Sequence, residues 1–327
     1  MTGTALPPKP AEPGGEQHRD TEKRPLRSAV IVNPVRVEDL TERRGVIESA
    51  LEAAGWPAPT WLETTAEDPG TGQARKALDG GAEVVFVCGG DGTVRSVLAG
   101  MTGSDASVAV LPAGTGNLLA MNLGLPDDPA QGVRLAVDHG RRLLDLGVVD
   151  GEVFAVMAGI GFDAAMMQST SAKLKARIGS PAYVFSAVKH LFDRSMSVTV
   201  RVDDGPAVSR RARTVLVGNV GRLQGGIRLL PEAEPDSGVL EVAILAPRHL
   251  GHWIALAWGV LLRRPSVARM EVLRGKRITI TSDRVQPREL DGDVIAPAAS
   301  LDVSVRPGAV WLCVAQPDES ADLTDGA

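Results

Sequence analysis

Hydrophobic positions fall in short runs between turn residues, and their spacing changes character near the middle of the chain. Ser28 to Val32 is a β-branched run closed by Asn33-Pro34, which predicts a first buried strand and a tight turn. From Thr41 to Ala54, Val46, Ile47, Ala50 and Leu51 fall at helical spacing, and Gly55 marks a stop. Trp61-Leu62-Glu63 predicts a second strand, and Gly72 to Leu78 a second helix. Val84 to Cys88 is a continuous apolar run before a glycine turn, the pattern of a central parallel strand covered on both faces. Val108 to Leu111 repeats it before a second glycine turn. Strand and helix alternate to about residue 125, so the first half is expected to be an open α/β domain with a parallel sheet.

The second half reads differently. Val153 to Met157, Ser197 to Val202, Thr214 to Val217, Val239 to Leu245, Arg277 to Thr281 and Leu301 to Val305 are short, often alternating runs separated by turn residues. They predict an antiparallel β-sandwich, interrupted by helical stretches at Ser171 to Phe192 and His249 to Arg263. The expected division is a tail at 1–26, an α/β domain at 27–144, a sandwich at 145–298 and a second tail at 316–327. The N-terminal tail is rich in Pro, Gly and charge, without the apolar core of a signal peptide, and is expected to be disordered. The C-terminal tail carries Asp318, Glu319, Asp322 and Asp325 and no basic residue.

Composition narrows the function classes. A net charge of −5 over 327 residues, with no basic cluster interleaved with aromatics, gives no footprint for nucleic acid. Cys88 and Cys313 are the two cysteines, far apart and without a CxxC partner, which fits reduced core thiols and a cytoplasmic location. The longest uncharged apolar stretch, Trp253 to Leu262, is about half of what a bilayer span requires. It is apolar nearly all round and leads into six basic residues and one acidic residue between Arg263 and Arg277. That pattern suits docking on an anionic membrane surface from the side; it also suits a core helix followed by a solvated loop. Lys173, Lys175 and Arg177 form a smaller basic patch with the same two readings.

The candidate chemistry sits in the two glycine turns. Gly89-Gly90-Asp91-Gly92-Thr93 stands directly between a predicted strand and a helical pattern. Glycines there let backbone N–H groups approach an anion, and the helix N-terminus adds partial positive charge. No Lys-Ser/Thr pair follows, so this is not a Walker A loop, and the spacing is not GxGxxG. Leu111-Pro112-Ala113-Gly114-Thr115-Gly116-Asn117 follows the next strand. Turns after successive parallel strands lie side by side at the carboxyl edge of the sheet, where α/β ligands bind. Thr115 and Asn117 could reach the same phosphates or merely cap a helix. The histidines show no HExxH spacing, and the absence of GxSxG argues against a serine lipase.

Taken together, Asn33-Pro34, the GGDGT and PAGTGN turns, Gly159 to Asp163, Gly218 to Gly226 and Asp291-Gly292-Asp293 resemble the diacylglycerol kinase catalytic-domain family, in its bacterial soluble lipid kinase branch. Sphingosine and ceramide kinases share this domain. The resemblance implies a nucleotide-binding α/β domain, completed by a returning segment near 299–315, and a sandwich domain that receives the lipid. It implies ATP and Mg²⁺ as cofactors and transfer of the γ-phosphate to a lipid hydroxyl, with diacylglycerol the first choice. By analogy Asn33, Pro34 and the residues just after them, Thr65 (or its neighbour Thr64), Gly89, Gly90, Asp91, Gly92, Thr93, Gly114, Thr115 and Asn117 bind the nucleotide. Asp91 would act on Mg²⁺ through water, Asp145 would belong to the same carboxylate network, and Asp293 would be the general base.

Two departures stand out. The bacterial base is the Glu of an Asp-Gly-Glu element, so Asp293 is one methylene shorter; Asp-Gly is also an ordinary hairpin turn. Relatives hold a structural Mg²⁺ through two backbone carbonyls and an Asp before a Gly; here Ser237 has that position, with Asp236 one residue early. A sphingoid or ceramide-like acceptor, NAD as acceptor, and a catalytically weak nucleotide-binding regulator are the alternatives. The expected partner is a lipid at the membrane surface, with a homodimer left open.

Overall fold

The computed structural model describes residues 24–138, 140–161, 195–222, 228–230, 232–247, 252 and 270–315. Four parallel strands, β1 (Ser28–Val32), β2 (Thr60–Glu63), β3 (Val84–Gly89) and β4 (Ser107–Pro112), lie in the order β2-β1-β3-β4. Helices α1 (Leu40–Ala53), α2 (Thr71–Asp79) and α3 (Asp91–Met101) connect them. Because successive side chains on a strand point to opposite faces, each strand feeds two cores. Ala29, Ile31, Val85 and Val87 pack with Val94, Val97, Leu98 and Met101 of α3. Val30, Val32, Phe86 and Cys88 pack with Ile47 and Leu51 of α1, each fully buried aliphatic side chain contributing roughly 2 kcal/mol. Asp39 starts α1 by accepting from Glu42 N at 2.8 Å. Two helices that the sequence pattern did not reveal follow β4: α4 (Leu118–Leu123) and α5 (Pro129–Val137), the latter capped by Asp128.

The second domain is antiparallel. Its strands are β5 (Arg141–Val149), β6 (Glu152–Phe154), β7 (Met157–Gly161), β8 (Met196–Val202), β9 (Val208–Ala212), β10 (Thr214–Gly218), β11 (Leu240–Leu245), β12 (Met270–Gly275), β13 (Arg277–Leu290) and β14 (Asp293–Cys313). β7, β10, β11 and β12 form one layer. β13 pairs with β8 through Ile278–Ser282 and with β7 through Arg288–Leu290, so it passes between the layers. Phe154, Ile160, Met196, Val217, Val242, Ile280 and Leu301 fill the interior. The end of β14 runs on into the first domain, where Trp311 and Leu312 pair in parallel with Ser107 and Val108.

Three differences from the sequence pattern have physical causes. β13 and β14 are far longer than the runs at 277–281 and 301–305, because Pro287, Pro297 and Pro307 lie in or beside irregular stretches of the ladders rather than ending the strands. The single strand expected over 153–157 is two strands. Ala155 and Val156 leave the ladder because their N–H groups donate to the Asp291 carboxylate, both at 2.8 Å. The helical stretches at 171–192 and 249–263 (residue 252 apart), the basic residues at 173–177 and 263–269, and the tails at 1–23 and 316–327 lie outside the described residues. Of the expected tail at 1–26, Leu26 is buried in the first domain's core, and Met270–Gly275 at the end of the basic stretch is a strand of the sandwich. Among the described residues no helix is long and apolar enough to cross a membrane.

Candidate active site

The carboxyl ends of β1, β3 and β4 open into a cleft of about 290 Å³, closed from the second domain by the β13–β14 hairpin. Asn33, Arg36, Pro69, Gly90 to Thr93, Gly114 to Gly116, Leu118 and Asp291 to Asp293 line it. The two glycine turns touch: a methyl group on Gly114 would fall 2.6 Å from Gly90 Cα, so only glycine permits this approach. Gly90 to Thr93 form the first turn of α3, whose N–H groups have no helical acceptor and suit an anion. Nearby, Ala113 N donates to Gly89 O at 3.0 Å and so aligns the turns.

A larger hollow of about 920 Å³ lies against the start of α1 and shares Arg36, Gly114 and Thr115 with the cleft. Glu38, Asp39, Glu42, Asp127 and Asp128 wall it, and Arg43 there is already spent on Leu111 O and Pro112 O. That wall disfavours phosphate, so the smaller cleft, which offers the free N–H groups of the first turn of α3, is the candidate phosphate site.

Several expected contact residues also hold the loops together. Asn33 Nδ2 donates to Thr93 Oγ1 at 3.0 Å, while its Oδ1 accepts from Val35 N, joining the first turn to the GGDGT loop. Asn117 has left-handed φ and closes its own loop, accepting from Gly114 N at 3.0 Å and donating to Gly114 O at 2.9 Å. Thr65 is exposed, its hydroxyl accepting from Asp68 N; of that loop, Pro69 reaches the cleft. Pro34 lines neither hollow. Thr115 lines both.

Asp91 begins α3 and accepts from Leu118 N at 2.6 Å. Burial raises its pKa, opposed by the backbone N–H groups and reinforced by the nearby Asp293 carboxylate. A charged carboxylate held at a partly buried cleft wall fits a water-bridged cation, which would offset that cost. Asp293 opens β14 after Asp291 and Gly292 at positive φ, the two-residue turn the Asp-Gly sequence favours. Its carboxylate accepts from Arg95 Nη2 at 2.8 Å. Asp291 faces inward instead: it is buried, takes three N–H groups from Ala155, Val156 and Met157, and burial pushes its pKa up to about 6.

Asp145 does not join Asp91. It lies on β5 under the 234–238 loop, accepting from Gly238 N at 2.6 Å and Gly308 N at 2.7 Å, which corrects its expected place in the catalytic network. The structural cation also fails to fit. The Ser237 hydroxyl, with one proton to donate, lies 2.9 Å from Glu234 O and 3.0 Å from Val239 O, and Ser237 N also donates to Glu234 O at 3.2 Å, so the protein itself supplies a donor for each carbonyl. Asp236 is paired with Arg142 at 2.5 and 2.6 Å, which removes it as a metal ligand. Sequence reasoning missed Arg95, although it stands four residues after Asp91 and hence on the same helical face. It also missed Arg43 and the anchoring role of Asp291, for which the chain carries no local signal.

A parallel sheet with paired glycine turns faces a carboxylate hairpin from a sandwich domain, an arrangement suited to holding an anionic ligand beside an acid–base group. The chain matches the diacylglycerol kinase catalytic domain over residues 27–149 and the YegS C-terminal NAD kinase beta sandwich-like domain over residues 155–314. It is 34% identical to a probable lipid kinase YegS-like protein of Pseudomonas fluorescens, over 64% of this chain and 70% of that one. A diacylglycerol kinase of Staphylococcus carnosus is 27% identical over 82% of this chain and 88% of its own. The solved structure of a putative diacylglycerol kinase from Bacillus anthracis shares the fold, with TM-score 0.72 and 22% identity over 88% of this chain and 97% of that one. An Archaeoglobus fulgidus NAD kinase, solved in complex with ATP, has TM-score 0.51 at 13% identity, covering 88% and 93%. The chain belongs to the family of diacylglycerol kinase-like lipid kinases.

Proposed function

We propose that this protein transfers the γ-phosphate of ATP to a lipid hydroxyl, with diacylglycerol as acceptor and phosphatidic acid as product. The observation that carries the reading is the meeting of Asp293 with the first turn of α3, where a Cβ on Gly92 would lie 3.0 Å from Asp293 Oδ2. The N–H groups of that turn and the Thr115 hydroxyl bind the phosphates. Asp91 would hold Mg²⁺ through water, and the ion would supply neutralisation of the phosphate charge. Asp293 accepts the proton of the lipid hydroxyl. The oxygen forms a bond to the γ-phosphorus as the bond to the β-phosphate oxygen breaks, and that electron pair leaves with ADP. Asp291 is sealed from this chemistry by burial and its three N–H donors. The lipid is presented from an anionic membrane surface in the cytoplasm, to which the apolar stretch at 253–262 and the basic residues Arg263, Arg264 and Arg269 after it dock.

The test is transfer of labelled γ-phosphate from Mg·ATP to a panel in mixed micelles: diacylglycerol, a sphingoid base, ceramide and, separately, NAD. Product from diacylglycerol that disappears in Asp91→Asn supports the reading. Product from another acceptor replaces diacylglycerol with it, and ATP binding without any transfer points to a nucleotide-binding regulator.

A further inference from the structure

Asp293 sits on a tight hairpin with its side chain 54% exposed, so nothing within its own domain fixes the carboxylate. Arg95 supplies the restraint from the other domain. Its side chain is only 16% exposed, and Nη2 meets Asp293 Oδ2 at 2.8 Å. Nη1 is buried without a hydrogen-bond partner and lies 3.9 Å from Glu152 of β6, so the guanidinium is drawn from two sides. The residue stands one turn along α3 from Asp91. The oxygen it grips is the same one that rests above Gly92. Arg95 does not line the phosphate cleft, so it is placed to hold a carboxylate and not to touch nucleotide.

We propose that Arg95 is a positioning residue, clamping the short Asp293 carboxylate against the first turn of α3 so that it meets the acceptor hydroxyl beside the γ-phosphate. This rests on Asp293 being the base. A guanidinium pair holds an aspartate in one orientation through a charge-assisted bond. Without it, the carboxylate of an exposed Asp turns among its rotamers, and a displacement of about 1 Å costs on the order of 100-fold in rate. The clamp spans the two domains, so it also ties the position of the base to the helix that binds phosphate.

The test measures kcat and the dissociation constant of Mg·ATP for Arg95→Gln, Arg95→Lys, Asp293→Asn and the double variant Arg95→Gln/Asp293→Asn. Gln keeps much of the buried stem, so the fold is preserved; a melting curve checks this, and Arg95→Met, which also lacks the charge, serves if Gln melts early. The expected result is a 10- to 100-fold lower kcat in Arg95→Gln with nucleotide affinity unchanged within about twofold. Arg95→Lys recovers most of the rate, and Arg95→Gln costs nothing further once Asp293 is Asn. Weaker ATP binding at constant kcat, or losses that multiply in the double variant, would overturn the clamp. Wild-type kcat in Asp293→Asn would instead remove the base beneath it, a different failure that the same set of variants separates.

Discussion

The N–H of Leu118 donates to Oδ1 of Asp91 at 2.6 Å, so the helix after the second glycine turn is pinned by the carboxylate of the first. Asp91 therefore has two separable duties, an acceptor for α4 and a charge beside the cleft. Asn keeps the acceptor and removes the charge. Asp91→Asn is expected to melt within about 2 °C of wild type and to lose at least ~100-fold in kcat, as expected for lost electrostatic stabilisation. Asp91→Ala should in addition lower the melting temperature, because the Leu118 N–H is left without its partner. Full activity in Asp91→Asn would remove it from the reaction.

The contact between Gly114 and Gly90 predicts a second loss. A Cβ at 114 meets backbone, 2.6 Å from Gly90 Cα, so the turns must separate. Gly114→Ala is expected to weaken ATP binding by about tenfold or more, an order set by the loss of one or two anion contacts at about 1.5 kcal/mol each. Gly45→Ala, on the open side of α1, meets nothing within 4 Å and serves as the control. Calorimetric titration with Mg·ATP measures both; equal affinities would mean that the turns do not cradle the phosphates.

The Ser237 bridge predicts independence from a structural cation. Without nucleotide, the melting temperature should be the same in EDTA and in Mg²⁺. Ser237→Ala, which removes the hydroxyl from between Glu234 O and Val239 O and leaves Glu234 O only the backbone N–H of residue 237, should cost about 1–2 kcal/mol. A drop in melting temperature on adding EDTA to the wild-type protein would show that a cation is held after all.

How much of this was legible in the sequence depends on the range of the interactions. Val84 to Gly89 and Ser107 to Pro112 are fully buried parallel strands, and such strands announce themselves as unbroken apolar runs. The glycine turns were legible because their geometry excludes side chains locally. Asp145 was not, because its partners Gly238 and Gly308 are distant in sequence and a strand carboxylate gives no sign of them. Arg95 was obscured in the same way by a partner 198 residues away. The lengths of β13 and β14 were hidden by prolines that usually end strands and here lie in or beside irregular pairing.

Asp291 predicts a pH dependence of stability. Its folded pKa, about 6, lies above the ordinary value near 4, so between those values the folded state keeps a proton that the unfolded chain releases. Its stabilising contribution is full below pH ~4 and is lost as pH rises through ~6, by at most about 3 kcal/mol. Asp291→Asn does not titrate. The difference in unfolding free energy, wild type minus variant, should therefore decline from pH 4 to pH 6.5 in denaturant titrations. A flat difference would contradict the buried, proton-holding state.

The most direct test of the account is single-turnover transfer of γ-phosphate from prebound Mg·ATP to diacylglycerol, comparing wild type with Asp293→Asn. General-base catalysis of this kind contributes about 10²–10⁴-fold. The account predicts a loss of that order with nucleotide affinity unchanged. Transfer at the wild-type rate would contradict it, because the one carboxylate that the hairpin brings over the first turn of α3 would then take no part in the reaction.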